Sequence, residues 1–256
     1  MRFSRLPILV LTSVLGGVAA AEPARLPAGF VFLRDVDPSI RQDIRYASSN
    51  NFVGHALPGY DGAECVVQRG AAEALREVQR DLAPRGLSLK VYDCYRPERA
   101  VQAMAAWAND GKSSDATKRF FPQLDKSRLF GLGYIAARSM HSLGIAVDLT
   151  LVELAGQPQA PFDPNARYGA CNGPAAARAP DDSVDMGTGF DCFDLKAHTA
   201  SPAITAEQRR SRNMLLDAMS RRGFANYARE WWHFTYGSGG GSAFDFPIPA
   251  RTRPAK

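Results

Sequence analysis

The chemistry-bearing residues of this chain gather in two short stretches. In Ser139-Met-His-Ser-Leu-Gly-Ile-Ala-Val-Asp-Leu-Thr150 an imidazole, His141, and a carboxylate, Asp148, stand at the two ends of a glycine-hinged apolar turn. In Glu230-Trp-Trp-His233 a second carboxylate and a second imidazole lie three residues apart among aromatic side chains. Neutral imidazole and carboxylate are both good zinc ligands, and a catalytic zinc takes three protein ligands and leaves a fourth position for water. His141, Asp148 and His233 would supply the three. Glu230 would remain as the acid/base group that reaches the metal-bound water.

Each stretch alone also has a plainer use. His141 serves equally as a hydrogen-bonded loop residue, Asp148 as a turn former at a strand end, and Glu230 and His233 as satisfied polar groups in an aromatic strand. The combination carries the metal reading, because the chain has only four histidines. His55 lies in a Gly/Pro loop and His198 beside a polar loop, and both read as surface residues, with His198 as the reserve ligand. Asp93-Cys-Tyr-Arg-Pro97 delivers the Arg96 guanidinium to a strand end, where it binds a carboxylate bidentately, steadies an oxyanion, or forms an ordinary salt bridge at a helix start. Asp191 by itself reads as a turn residue.

These residues need elements to bring them together. A separation of seven would put His141 and Asp148 on opposite faces of one strand, so His141 must precede the strand, with Gly144 at the bend. Ile145, Ala146, Val147, Leu149 and Leu151 then form a buried strand whose one charged residue, Asp148, requires a partner. The aromatic run from Tyr227 to Tyr236 is expected as a strand with a bulge near the tryptophans that turns Glu230 and His233 into one cleft.

Ala71, Leu75, Val78 and Leu82 recur at helical spacing before Pro84 and Gly86, and Leu87 to Tyr92 alternates as a strand. Pro97 opens a second helix from its first turn, with Val101, Met104, Ala105 and Ala108 as its buried stripe. Thr205-Ala-Glu-Gln208 is a capping pattern for a helix that runs through Met214, Leu215 and Met219 to Gly223. Phe30 to Tyr60 reads as short strands and loops, with Tyr46 near a strand end, and 109–138 as a loop-rich border of the cleft. Residues 155–190, rich in Gly, Pro, Ala and Asp, read as an insertion, and 237–242 as a flexible segment.

Arg2 and Arg5, the apolar run from Pro7 to Val18 and the alanines before Glu22 have the layout of a secretory signal peptide over residues 1–21. Its apolar core is too short to span a bilayer, and no lipidation cysteine follows. The expected product is an exported, periplasmic protein with one domain at 22–248 and a flexible tail at 249–256. The formal net charge of +5 drops by two with the leader, and no basic run marks nucleic-acid binding. Cys65, Cys94, Cys171 and Cys192 form an even set suited to two disulfides. Of three possible pairings, Cys65 with Cys94 and Cys171 with Cys192 each closes a local region. No CxxC pair supports a second zinc site.

Taken together, Tyr95-Arg-Pro97, the Ser-x-His-Ser-x-Gly-x-Ala-x-Asp run from Ser139 to Asp148, the Met-Gly-Thr-x-Phe-Asp stretch ending at Asp191, and Glu230-Trp-Trp-His233 resemble the VanX-type D-alanyl-D-alanine dipeptidases. The order and spacing match over most of residues 30–248. The resemblance implies one zinc ion on His141, Asp148 and His233, with Glu230 as catalytic base and Arg96 at the transition state. It further implies that Tyr46, Ser139 and Asp191 contact the dipeptide D-Ala-D-Ala, with Asp191 at its ammonium. The implied fold is α+β, an antiparallel sheet flanked by helices, as in zinc D,D-carboxypeptidases and the Hedgehog signalling domain. The insertion, the cysteines and the export signal depart from compact members of that family. A D,D-carboxypeptidase acting on longer peptides and a zinc-stabilised wall-binding module are the rival readings.

Overall fold

The computed structural model describes residues 26–112 and 114–251. The signal segment at 1–21 and residues 252–256 of the tail lie outside the described residues. In chain order the elements are β1 (Phe30–Phe32), α1 (Leu33–Val36), β2 (Arg41–Gln42), β3 (Val66–Gln68), α2 (Arg69–Leu82), β4 (Leu87–Asp93), α3 (Glu98–Ala108), α4 (Asp115–Lys118), β5 (Ala146–Glu153), α5 (Ala206–Ser220), β6 (Phe224–Asn226) and β7 (His233–Tyr236). A five-stranded sheet has the order β2-β4-β5-β7-β6, and β1 pairs with β3 in a separate two-stranded ribbon. Every pair is antiparallel except β2 with β4, which is parallel. The fold is α+β.

The sheet forms where the chain is most apolar. In β5 all residues but Glu153 are buried, and in β4 all but Leu87. Helix α2 turns Ala71, Leu75, Val78 and Leu82 inward against β4, while α5 packs on β5 and on α2. A run of this kind is buried on both faces, as a central strand requires. Gly86, at φ +71, ends the turn after α2 in a left-handed conformation that lacks the Cβ penalty.

Helix α5 carries the full reciprocal capping box: Gln208 N–H donates to Thr205 Oγ1 at 3.2 Å, and Thr205 N–H donates to Gln208 Oε1 at 3.0 Å. Three sequence expectations are corrected. Pro97 is the N-cap of α3 rather than a first-turn residue, and Ala100 takes the buried place expected of Ala105. The expected strand from Tyr227 to Tyr236 is instead the end of a hairpin, in which 227–232 is the turn between β6 and β7.

The structure joins Cys65 to Cys94 and Cys171 to Cys192, separations of 29 and 21 residues. Crosslinks closing loops of this length stabilise by roughly 3–4 kcal/mol each in the chain-entropy view. The segment 155–190 has little regular structure, yet it is pinned to the sheet by charge. Lys90, only 3% exposed, pairs with Asp181 and Asp182, and Arg45 pairs with Asp181 at 2.8 Å while Tyr92 donates its hydroxyl to it at 2.8 Å. A buried ammonium persists only where such partners compensate its lost hydration.

Arg212, on α5, is 1% exposed and gathers the loop that precedes the site. It donates to the carbonyls of Met186 at 2.7 Å, His198 at 2.6 Å and Lys196 at 2.9 Å. Removing the guanidinium strands three acceptors in the interior. Arg212→Leu is therefore expected to cost about 3 kcal/mol or more. A fall in the urea midpoint at unchanged slope would show it, and a midpoint like that of the parent would refute the accounting.

Candidate active site

The site is built on one cross-strand row. Strand pairing sets Asp93 of β4 opposite Asp148 of β5, and Asp148 opposite His233 of β7. Residues opposite one another in an antiparallel pair share a face, so the three side chains emerge side by side. A register shift between Val91 and Asp93 brings Asp93 into this row. The bulge expected near Trp231 and Trp232 is thus found on β4, two strands away. The hairpin turn before β7, rather than a strand irregularity, carries Glu230 to the same side as His233.

His141 enters from outside the sheet, on a single turn, Met140–Leu143, that leads into β5. Gly144 closes this turn at φ +71, and a Cβ there would lie 2.2 Å from the Phe30 ring, so both conformation and packing demand glycine. Ser139 caps the turn by accepting from His141 N–H at 3.2 Å. The His141 ring donates Nδ1–H to the Cys94 carbonyl at 2.6 Å, which leaves the Nε2 lone pair free. In return Arg96 N–H donates to the His141 carbonyl at 3.2 Å.

Three donor atoms converge. His141 Nε2 lies 3.2 Å from His233 Nδ1 and 3.3 Å from Asp148 Oδ1, and His233 Nδ1 lies 3.0 Å from Asp148 Oδ1. Tetrahedral ligands at zinc bond lengths stand about 3.3 Å apart, so this donor set fits the ion in both chemistry and spacing. His198, the reserve ligand, lies elsewhere, in a neighbouring concavity with Arg229 and Asp194.

Arg96 bridges the two buried carboxylates of the row. Its Nη2 lies 2.8 Å from Asp93 Oδ2 and 3.5 Å from Asp148 Oδ2, and its guanidinium sits over the Tyr46 ring at 4.9 Å. Asp93 also accepts from the Tyr60 hydroxyl at 2.6 Å. Asp93 and Tyr60 are absent from the sequence expectations. An acid closing an apolar strand in Asp93-Cys-Tyr-Arg-Pro97 was the signal available for Asp93, and Tyr60 had none.

A cleft of about 310 Å³ opens over the donors, with Tyr46, Arg96, Ser139, Asp191 and Glu230 among its walls. Every site residue expected from sequence is thus at this cleft. Glu230 Oε2 stands 3.8 Å from His233 Nδ1. Burial, and next the charge of Asp148, push the Glu230 carboxyl up to about 8 against the pull of Arg96 and His141. Asp191, at φ +56 and buried, accepts from the Tyr46 hydroxyl at 2.7 Å. Burial first and Asp148 second hold its carboxyl well above the usual carboxylate range. A buried acid with one hydroxyl partner suits a cationic ligand group.

A family model described as D-ala-D-ala dipeptidase matches residues 27–159 and 178–250. A D-alanyl-D-alanine dipeptidase of Enterococcus faecium is 31% identical over 222 residues, 86% of this chain and 98% of its own. One of Streptomyces coelicolor is 32% identical over 221 residues, again 86% and 98%. Among solved structures, the vancomycin resistance D,D-pentapeptidase VanY aligns over 67% of this chain and 73% of its own, at 12% identity and a TM-score of 0.35.

The raised Glu230 carboxyl has a sign that can be checked. Unfolded, it ionises near 4.3, so between there and about 8 the folded chain binds the extra proton. Stability in the metal-free protein is present below that window and is lost as pH rises through it. Thermal melts of chelator-treated protein should fall from pH 5 to 8, and less steeply for Glu230→Gln. Parallel slopes would mean that Glu230 ionises normally.

Proposed function

This chain belongs to the D-ala-D-ala dipeptidase family, and from that premise we propose that it hydrolyses D-Ala-D-Ala with one zinc ion held by His141, Asp148 and His233. The observation that carries the proposal is the convergence of three donors 3.0–3.3 Å apart with the Glu230 carboxylate beside them. The ion supplies Lewis acidity, which activates water and polarises the scissile carbonyl. Glu230 takes the proton of the attacking water and returns it to the departing amine, so one carboxyl acts as base and then as acid.

Arg96 faces the oxygen on which negative charge develops. Asp93 fixes its guanidinium through Nε at 2.9 Å, so the charge is in place before the reaction and needs no reorganisation. Asp191, with Tyr46, receives the free ammonium of the dipeptide, and Ser139 lines the cleft beside His141 where the substrate lies. Recognition of an ammonium next to the scissile bond selects a free dipeptide over an acylated one.

The chain acts outside the cytosol, in the periplasm, on wall-derived D-Ala-D-Ala. The arginines and apolar run of residues 1–21 support export, as do two disulfides, which persist in oxidising compartments.

Glu230→Ala should retain one zinc per chain by elemental analysis while kcat drops 10²-fold to 10⁴-fold, about the range attributed to general acid–base catalysis. Turnover near that of the parent would remove Glu230 from the mechanism. D-Ala-D-Ala should be hydrolysed in strong preference to N-acetyl-D-Ala-D-Ala; the reverse preference would make the protein a carboxypeptidase.

A further inference from the structure

The cleft has a neighbour. A second concavity of about 450 Å³ is lined by Leu124, Arg128, Leu132, Asp194, Leu195 and His198, among others. Tyr134 lines both hollows, and the adjoining residues divide between them: Gly133, Phe193 and Glu230 face the cleft, whereas Leu132, Asp194 and Arg229 face its neighbour. The partition is therefore thin: one loop around 132–134, one hairpin turn around 227–230, and Phe193–Asp194, against which Tyr134 packs at 5.3 Å.

Those two segments are fastened to each other by side chains of the turn. The Arg229 guanidinium donates through Nη1 to the Leu132 carbonyl, and the Tyr227 hydroxyl donates to the Gly133 carbonyl at 3.3 Å. Gly133 adopts φ +77, and a Cβ on it would lie 2.6 Å from Arg229 Nη1. Glycine is thus required both for the backbone turn and for the approach of the guanidinium. Beyond α3 the described part of 109–138 holds α4 and the short turn Lys126–Arg128, and around the clasp it is shaped by its own backbone bonds, Leu132 N–H to the Arg128 carbonyl, Gly133 N–H to that of Phe130 and Tyr134 N–H to that of Leu129. Among the described residues, this clasp ties the 132–133 carbonyls to the hairpin.

We propose that the Tyr227–Arg229 clasp on Leu132 and Gly133 is a specificity device, which closes the side of the cleft and restricts the enzyme to substrates of dipeptide size. The inference rests on the dipeptidase reading above. Opening the clasp joins the two hollows, and a substrate whose amino group carries an acyl or peptidyl extension then has room that the closed cleft denies it. The joined groove presents the apolar Leu124, Leu132 and Leu195, the last 72% exposed, so it suits an extension with an apolar part.

The experiment compares kcat/KM for D-Ala-D-Ala, N-acetyl-D-Ala-D-Ala and a tripeptide ending in D-Ala-D-Ala, using the zinc-loaded parent, Arg229→Ala, Arg229→Lys and Tyr227→Phe. Arg229→Ala should raise the extended-to-dipeptide ratio at least tenfold while dipeptide kcat/KM stays within threefold of the parent. Tyr227→Phe deletes one hydrogen bond at constant shape and should raise the ratio in the same direction. Arg229→Lys, which keeps a cationic donor for the Leu132 carbonyl, should restore most of the selectivity. Amide hydrogen exchange at 131–134 should accelerate in Arg229→Ala and not in Arg229→Lys, a readout independent of turnover. Dipeptide hydrolysis with an unchanged ratio in both Arg229→Ala and Tyr227→Phe overturns the clasp alone. A parent with no dipeptide turnover overturns the dipeptidase reading and the clasp with it.

Discussion

Two carboxylates buried side by side in adjacent strands would repel each other with little water to screen them, and the whole site is an answer to that repulsion. Asp93 and Asp148 are both almost wholly inaccessible, at 0% and 2% exposure. Each divides its oxygens between opposite partners. Asp93 gives one oxygen to Tyr60 and the other to Arg96, whereas Asp148 turns one toward Arg96 and the other toward the imidazoles. Arg96 neutralises one side of the pair, and a divalent cation held by the proposed ligands would neutralise the other. Arg96 and such a cation would thus be electrostatic counterparts across one strand row.

That row is held by ordinary packing behind it. The helices α2 and α5 cover β4 and β5 with aliphatic side chains, and the ladder fixes which residues stand opposite one another. Because side chains alternate between faces, a slip of one residue in β5 would send Asp148 into the helices and an aliphatic neighbour into the cleft. The hydrophobic pattern that builds the core is therefore the same pattern that aims Asp148.

Much of this was legible beforehand for a physical reason: it depended on local periodicity or on residues with few uses. The α2 stripe, the capping box at Thr205 and the glycine bend before β5 are short-range signals, and four histidines leave few ways to assemble a site. What escaped was long-range. The Tyr227–Tyr236 run is rich in aromatic strand formers, yet its first half is a turn, because Asn226 and Tyr227 both bond the His233 carbonyl and close the hairpin there. The partnership of Asp93 with Tyr60 spans 33 residues and follows from a β4 register shift that no local pattern announces.

Cys94 joins two kinds of chemistry within a single residue. Its sulfur is crosslinked to Cys65, and its carbonyl selects which nitrogen of His141 keeps a proton. Oxidative maturation and ligand tautomer thus meet at one peptide unit, so a chain whose thiols have not yet joined holds that carbonyl less firmly. The crosslink therefore steadies the imidazole as well as the chain.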